Sequence, residues 1–447
     1  MKRENEFNGS GQSLINRRGF IGGSIAAFAG FRFIKGPLDF KPGNDPENDL
    51  KKIRGYRTLG RTGFKVSDIG LGGVELTTPA LVKVALDAGI NYIDTAESYL
   101  RGQSERNIGK ALKEYDRKSI FITTKLGFRP QVTKAEIKER TRKCLERLQT
   151  DYIDCLMIHG TPTLEVLKAE GFHAAVKELK AEGKVRFCGL SNHGSQYRDE
   201  YQDMGKIMTA AAHDGRFDVA LFVYNFLQRK MGENILKVFQ EKNIGATLMK
   251  VNPVQEHIEL AEYVKEREDE GKDSPDRLRL RLDLYKKRMD QAEAFKRKYK
   301  LQGYKQMRDA AIKFVLGHPG VHSVTFSIKD FEQLEAYVSL SGSRLDAVDK
   351  QALDIYKTNF GPFYCRHACG LCEYRCPEGV PVNTIMRYLH YFRAQGREKA
   401  AMRQYAALKG EKAEGCEACA GYCQQACPFG VPIHGLLTAA HQTLTLT

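Results

Sequence analysis

The sequence predicts an α/β fold, a (β/α)8 TIM barrel followed by a small α-helical domain, and three observations carry that expectation. From about residue 56 to 340, short β-branched or apolar runs alternate with amphipathic helical stretches, and eight such steps suit a closed parallel barrel better than a doubly wound sheet. The first strand is not followed by the glycine pattern of a dinucleotide-binding doubly wound fold, because Gly70-Leu71-Gly72-Gly73 lacks the last required glycine. Finally, eight of the 11 cysteines crowd into residues 365–427, beyond the last of these steps. The domain boundaries that follow are an N-terminal segment and linker at 1–50, a barrel at 51–345 with a charged insert at 256–300, and a cysteine-rich domain at 346–447.

The strand runs, in order, are Val66–Leu71, Ile90–Asp94, Ile120–Lys125, Ile153–His159, Val185–Leu190, Val219–Val223, Ile244–Lys250 and Val321–Thr325. Helical patterns such as Lys134–Leu148 and Leu164–Glu182 lie between them. The insert at 256–300 holds 13 basic and 12 acidic residues. It follows the seventh strand, where a barrel loop overhangs the site face. Leu278, Leu282, Tyr285 and Met289 form one helical stripe, although Arg277 to Leu284 also alternates strictly and keeps a strand open. A solvated charged helix and a lid over the substrate are the two readings.

The chain of 447 residues is 42% hydrophobic and 28% charged, enough for a sizeable core and unlike a disordered chain. Lys and Arg outnumber Asp and Glu by 70 to 55. The first 50 residues hold 7 basic and 6 acidic groups, so the excess is spread over the folded body, where it suits anionic ligands. There is no nucleic-acid-binding motif. No uncharged apolar run reaches the ~18–20 residues of a membrane span, which leaves at most an uncleaved signal in a membrane. That signal would start at Asn16-Arg17-Arg18, followed by the charge-free stretch Gly19 to Phe31. The string resembles a twin-arginine signal, which implies export in folded form to the periplasm. An ordinary amphipathic N-terminal helix on a cytoplasmic protein is the alternative.

Asp94, Tyr99, Lys125 and His159 fall at or just beyond the ends of the second, third and fourth predicted strands. In a barrel those ends share the face on which catalysis is built. A phenol of pKa near ~10 is a poor proton donor or acceptor at neutral pH. A buried ammonium beside it is expected to lower that value. Tyr99 is thus the expected general acid/base, Lys125 its tuner, Asp94 the lysine partner and His159 the donor that orients a carbonyl oxygen.

The stretches YRTLGRTGFKVSDIGLGG, DAGINYIDTAESYLRGQSERNIGKAL, LQTDYIDCLMIHG and AIKFVLGHPGVHSVTFSIKDFEQLEA resemble signature segments of aldo/keto reductases over roughly residues 56–340. That resemblance implies a (β/α)8 barrel, the four roles just given, and NADP or NAD as cofactor. It implies that Ser191, Asn192 and Gln228 bind the nicotinamide amide. It places Ser327, Lys329 and Gln333 against the adenosine phosphate, where Lys329 would pair with a 2′-phosphate. Met249 stands where the family commonly presents an aromatic to the nicotinamide ring, and a polarizable methionine can pack there. Trp, frequent in the family's substrate pockets, is absent from the chain.

The C-terminal cysteines form an internal repeat. Cys365-x3-Cys369-x2-Cys372-x3-Cys376-Pro377 is followed by Cys416-x2-Cys419-x3-Cys423-x3-Cys427-Pro428. The flanks CPEGVPVNTIM and CPFGVPIHGLL repeat as well. The pattern resembles two-cluster ferredoxins, whose runs end in Cys-Pro. It implies a ferredoxin-like iron–sulfur domain holding two [4Fe-4S] clusters, with the fourth cysteine of each run serving the other cluster. One set is then Cys365, Cys369, Cys372 and Cys427, the other Cys416, Cys419, Cys423 and Cys376. The helix-like stretch from Asn383 to Leu408 would bring the runs together. Two tetrathiolate zinc sites or a set of disulfides are the alternatives.

The resulting expectation is an oxidoreductase that interconverts a small-molecule carbonyl and alcohol by nicotinamide hydride transfer. Its clusters would serve a one-electron step or an electron-transfer partner. The rival is an electron-transfer or redox-sensing protein on a catalytically inactive barrel.

Overall fold

The structure, a computed structural model, describes residues 51–193, 203–254, 303–361, 364–395 and 397–445. The expected signal and the charged insert at 256–300 lie outside the described residues. Eight parallel strands close a barrel in the order β10-β3-β4-β5-β6-β7-β8-β9. They are β3 (Ile69–Gly72), β4 (Tyr92–Asp94), β5 (Phe121–Leu126), β6 (Ile153–Ile158), β7 (Val185–Asn192), β8 (Val219–Val223), β9 (Gly245–Met249) and β10 (Ser323–Ser327). Helices lie between successive strands, as the alternation requires.

The expected first strand, Val66–Leu71, is two strands. Its start belongs to an antiparallel hairpin of β1 (Tyr56–Thr58) with β2 (Lys65–Ser67), and the barrel strand β3 begins at Ile69. Asp68 makes the break. Its backbone amide bonds to Gly55 O at 2.9 Å, and its carboxylate accepts from Ser341 Oγ at 2.6 Å and Gly342 N at 2.8 Å. A carboxylate so held cannot occupy a mid-strand core position, so the hydrophobic run is interrupted there.

The barrel is filled, not open. Leu59, Val66, Tyr92, Phe121, Cys155, Met157, Val219 and Leu221 pack inside it. Phe121 lies between Tyr92 and Phe187, with stacked rings 5.8 and 6.0 Å away. Truncating such a side chain to alanine costs about 3–5 kcal/mol. The Gly70–Gly73 stretch serves this packing. A Cβ on Gly70 would come 2.8 Å from the Tyr92 ring, and one on Gly73 would come 2.5 Å from Ser104 Oγ.

The C-terminal part sits on the barrel and joins it in one compact unit, Leu50–Thr447. The helix Ala347–Phe360, opened by an Asp346/Asp349 capping box, packs on the barrel helix Gly303–Leu316. The stretch from Asn383 to Leu408 is two helices, Val382–Gln395 and Glu398–Ala406. The flanks of the cysteine repeat lead into Val382–Gln395 and Ile433–Leu444, and these two helices pack on each other. The repeat in sequence is therefore a pair in space. A shared apolar cluster runs from Phe226, Leu227, Val254 and Ala310 on the barrel side to Tyr364, Ile385 and Leu437 on the other.

Candidate active site

Asp94 ends β4, Lys125 lies near the end of β5, and His159 follows β6. Tyr99 follows β4 on a short turn in which Leu100 and Arg101 take left-handed backbone angles, φ 50° and 56°. Non-glycine residues adopt that conformation only at a cost, and such strain concentrates at functional sites. The four side chains meet in one cavity of about 890 Å³, the size of an organic-ligand site. Lys125 Nζ donates to Asp94 Oδ1 at 2.6 Å, to the Thr95 carbonyl at 2.7 Å and to the Tyr99 hydroxyl at 3.3 Å. The imidazole of His159 stands edge-on to the Tyr99 ring, centroids 5.5 Å apart.

The electrostatics follow from burial. Burial works against the Lys125 charge, but Asp94 and Tyr99 overcome it and hold Lys125 above its ordinary value. Burial lifts Asp94, with Lys125 opposing. His159 is pushed down to about 3 by burial and then by Lys125, so it is neutral at working pH and keeps one N–H to donate. Tyr99 departs from the sequence expectation. Its pKa lies above the ordinary phenol value, because burial outweighs the lowering by Lys125. The side chain is thus a firmly protonated phenol that the ammonium keeps from rising further.

Ser191 and Asn192 end β7, with Ser191 Oγ accepting from Gly160 N at 2.9 Å and Asn192 Nδ2 donating to Thr161 O at 2.7 Å. Ser191, Met249, Ser327, Lys329 and Gln333 all line the cavity. Lys329 Nζ is 3.8 Å from Glu75, so it has a carboxylate partner within the protein. Gln228 donates its amide to the His367 carbonyl at 2.7 Å, and its Oε1 is buried with no hydrogen-bond partner among the described residues. Neither Gln228 nor Asn192 is among the residues that line the cavity.

Sequence reasoning missed the other wall. The cavity is also lined by Arg387, Tyr388, His390, Tyr391 and Arg397, and by His193 and Lys250 of the barrel. Arg387 donates to His193 O at 3.1 Å, and Arg397 pairs with Glu75 at 3.2 Å. The signal was present: Arg387, His390 and Tyr391 stand at i, i+3 and i+4, one face of a helix.

The eight cysteines lie near one another, and Cys372 has Cys423 as well as Cys427 and Cys369 as electrostatic neighbours. Cys365, Cys369, Cys372 and Cys427 line one small cavity. Cys416 has Cys423, Cys376 and Cys419 as electrostatic neighbours, and Cys423 has Cys376 and Cys419. Burial pushes the Cys369 and Cys423 thiols up to about 11 and Cys416 up to about 12. Among the described residues, no three His, Cys, Asp or Glu side chains are close enough to hold one metal ion.

Comparison with known proteins gives a family match for the barrel. The aldo/keto reductase family model matches residues 70–357. The chain is 28% identical to the aldo-keto reductase YhdN of Bacillus subtilis over 331 residues, 68% of this chain and 94% of that protein. It is 29% identical to the NADH-specific methylglyoxal reductase of Escherichia coli over 232 residues, 44% of this chain and 65% of that protein. Among solved structures, the aldo-keto reductase AKR11C1 from Bacillus halodurans aligns at 24% identity and a TM-score of 0.48, covering 67% of this chain and 95% of that one. With eight parallel strands, a phenol, ammonium, carboxylate and imidazole at their C-terminal ends, and a family match over most of its length, the chain belongs to the aldo/keto reductase family of oxidoreductases.

Proposed function

We propose that the protein interconverts a carbonyl and an alcohol using NADP or NAD, and that it carries two [4Fe-4S] clusters. The observation that supports the first part is the Lys125 ammonium bonded at once to Asp94 and Tyr99 with His159 against the same phenol. When bound, the nicotinamide supplies or accepts the hydride. His159, neutral, donates to the substrate oxygen and fixes it beside Tyr99. In reduction Tyr99 gives its proton to that oxygen as charge develops there, and Lys125 stabilises the phenolate left behind. In oxidation the same proton returns to Tyr99. Ser191, Asn192 and the open Oε1 of Gln228 would hold the nicotinamide amide, Met249 would pack on its ring, and Ser327, Lys329 and Gln333 would hold the adenosine end.

The four thiols walling one cavity, and the second set of four neighbours, support iron–sulfur clusters with crossed ligation. Clusters there supply single-electron transfer, within the protein or to a partner. Export in folded form, resting on Arg17 and Arg18 before an apolar stretch, belongs to the same reading because such cofactors would be loaded before transport. Anaerobic purification followed by iron, sulfide and bound-nucleotide analysis tests both cofactors. Two clusters and a nicotinamide nucleotide are expected, whereas stoichiometric zinc would overturn the iron–sulfur reading. If Tyr99→Phe leaves a measured carbonyl reductase activity unchanged, the barrel is not the seat of that chemistry.

A further inference from the structure

The cavity that holds Tyr99 has a second cationic centre on its other side. Lys250 follows directly on β9, and its backbone turns left-handed there, φ 53°. Its Nζ is buried, and the group that supports its charge is the Tyr391 hydroxyl and not a carboxylate. It lies over the ring of Tyr391, 4.9 Å from the centroid. Both carboxylates among the lining residues are committed elsewhere: Asp94 to Lys125, and Glu75 to Lys329 and Arg397. Arg387 lines the same wall, held by its hydrogen bonds to His193. A buried ammonium without a carboxylate counter-charge is costly, and a cavity of this size that contains one is arranged for a ligand that brings the anion.

The chemistry of that ligand follows from position. Lys250, Arg387 and His159 all act on the His193 imidazole, and Tyr391 acts on Tyr99. The cationic wall lines the same cavity as Tyr99 and His159, the residues that would receive the reacting oxygen. We propose that Lys250 and Arg387 bind a carboxylate of the substrate, so that the protein acts on oxo acids in one direction and the matching hydroxy acids in the other. This rests on the carbonyl–alcohol reading of the same cavity and adds the substrate class. Tyr391 is a positioning residue that keeps the Lys250 stem in place. A guanidinium and an ammonium against one carboxylate give charge-assisted bonds that a neutral ester or amide cannot replace.

The test uses the anaerobically purified, cluster-loaded protein. The ratio of kcat/KM for a series of oxo acids of increasing length to that for their methyl esters is measured. Calorimetry follows the binding of oxamate, an unreactive carboxylate. The acid-to-ester ratio is expected to fall about tenfold or more in Lys250→Met and in Arg387→Met, with partial recovery in Lys250→Arg. Oxamate binding is expected to weaken by a similar factor. Circular dichroism of each variant establishes folding, and the two independent substitutions keep the test valid should one fail to fold. A ratio that does not respond to either substitution would overturn the proposal while leaving carbonyl reduction intact. A loss of NADPH affinity in Lys250→Met without any change in oxamate binding would assign the charge to the dinucleotide phosphates and also overturn it. Should no carbonyl compound be turned over at all, Lys250-dependent oxamate binding still supports the carboxylate site, and its absence refutes it.

Discussion

The side-chain amide of Gln228, on the barrel, is hydrogen-bonded to the backbone carbonyl of His367, in the first cysteine run, at 2.7 Å. One residue would thereby serve both halves of the proposed chemistry: its nitrogen ties down a loop between Cys365 and Cys369, and its Oε1 would accept from the nicotinamide amide under the proposed reading. Removing it has two separable effects. Gln228→Ala leaves the His367 carbonyl without its donor, and an unsatisfied buried acceptor costs about 1–3 kcal/mol. Loss of one hydrogen bond to the nicotinamide raises its dissociation constant by about three- to tenfold. Urea unfolding reads the first effect, and fluorescence titration with NADPH reads the second.

Tyr99→Phe keeps the ring against His159 and removes only the proton. Carbonyl reduction is expected to drop by about 10²–10⁴, the range of a lost general acid, with no change in the affinity of a nucleotide that does not touch the hydroxyl. The pH dependence follows from the two directions found for the site. With His159 depressed to about 3 and Tyr99 raised, neither group changes charge across neutrality. Reduction of a neutral aldehyde is therefore expected to show no limb near the ordinary histidine pKa. A limb there that disappears in His159→Gln would mean that the imidazole is exposed and titrating.

Asp94 and Lys125 make the strongest stability prediction. In Asp94→Asn the ammonium stays 1% exposed with no counter-charge, a change worth about 3–5 kcal/mol in buried pairs. The midpoint of urea unfolding should fall accordingly, together with activity. The folded pKa of Lys125 is raised, so its contribution is complete below the unfolded value of about 10.4 and is lost as pH rises through the folded value. The wild-type protein should consequently lose stability at strongly alkaline pH, and Asp94→Asn should lose less there.

The barrel was legible because each parallel strand is buried on both faces and reads as a continuous apolar run, as Val219–Val223 does with the same bounds in sequence and structure. Only the first run misled, because Asp68 serves a loop at Ser341 some 273 residues away, a partner that no local pattern reveals. The tetrad was legible because strand ends in a closed barrel converge whatever the loops do. The direction of the Tyr99 shift was not, since burial decides it and burial is a tertiary property. The cationic wall was hidden for the same reason. Arg387 and Tyr391 sit more than 130 residues beyond Lys250 in the chain, on a helix whose sequence predicts only that it links two cysteine runs.

Under the proposed crossed ligation the cysteine variants sort by cavity and not by run. Cys427→Ala is expected to remove the same cluster as Cys365→Ala, and Cys376→Ala the same cluster as Cys416→Ala, read as distinct electron paramagnetic resonance signals of the reduced protein. If Cys427→Ala instead depletes the cluster of Cys416, each run ligates its own cluster.

Lys250 and Tyr391 give the cavity a titration of its own. Burial pushes Lys250 down to about 8, with Tyr391 opposing and Arg387 and Arg397 assisting. Burial pushes Tyr391 up, but Lys250, Arg387 and Arg397 outweigh it and bring the phenol down to about 8. Both groups are in their more positive state below that pH: Lys250 an ammonium, Tyr391 a neutral phenol. Above it the pair loses positive charge, and the wall with it. His193, on the barrel side, stays neutral throughout, held well below its usual range by burial and by Lys250 and Arg387. The preference for an oxo acid over its methyl ester should thus be greatest below pH 8 and decline above it. In Tyr391→Phe the lysine loses the one group that supports its charge, so the decline should begin at lower pH. A preference that is flat from pH 6 to 10 in the wild type would show that this pair does not face the substrate.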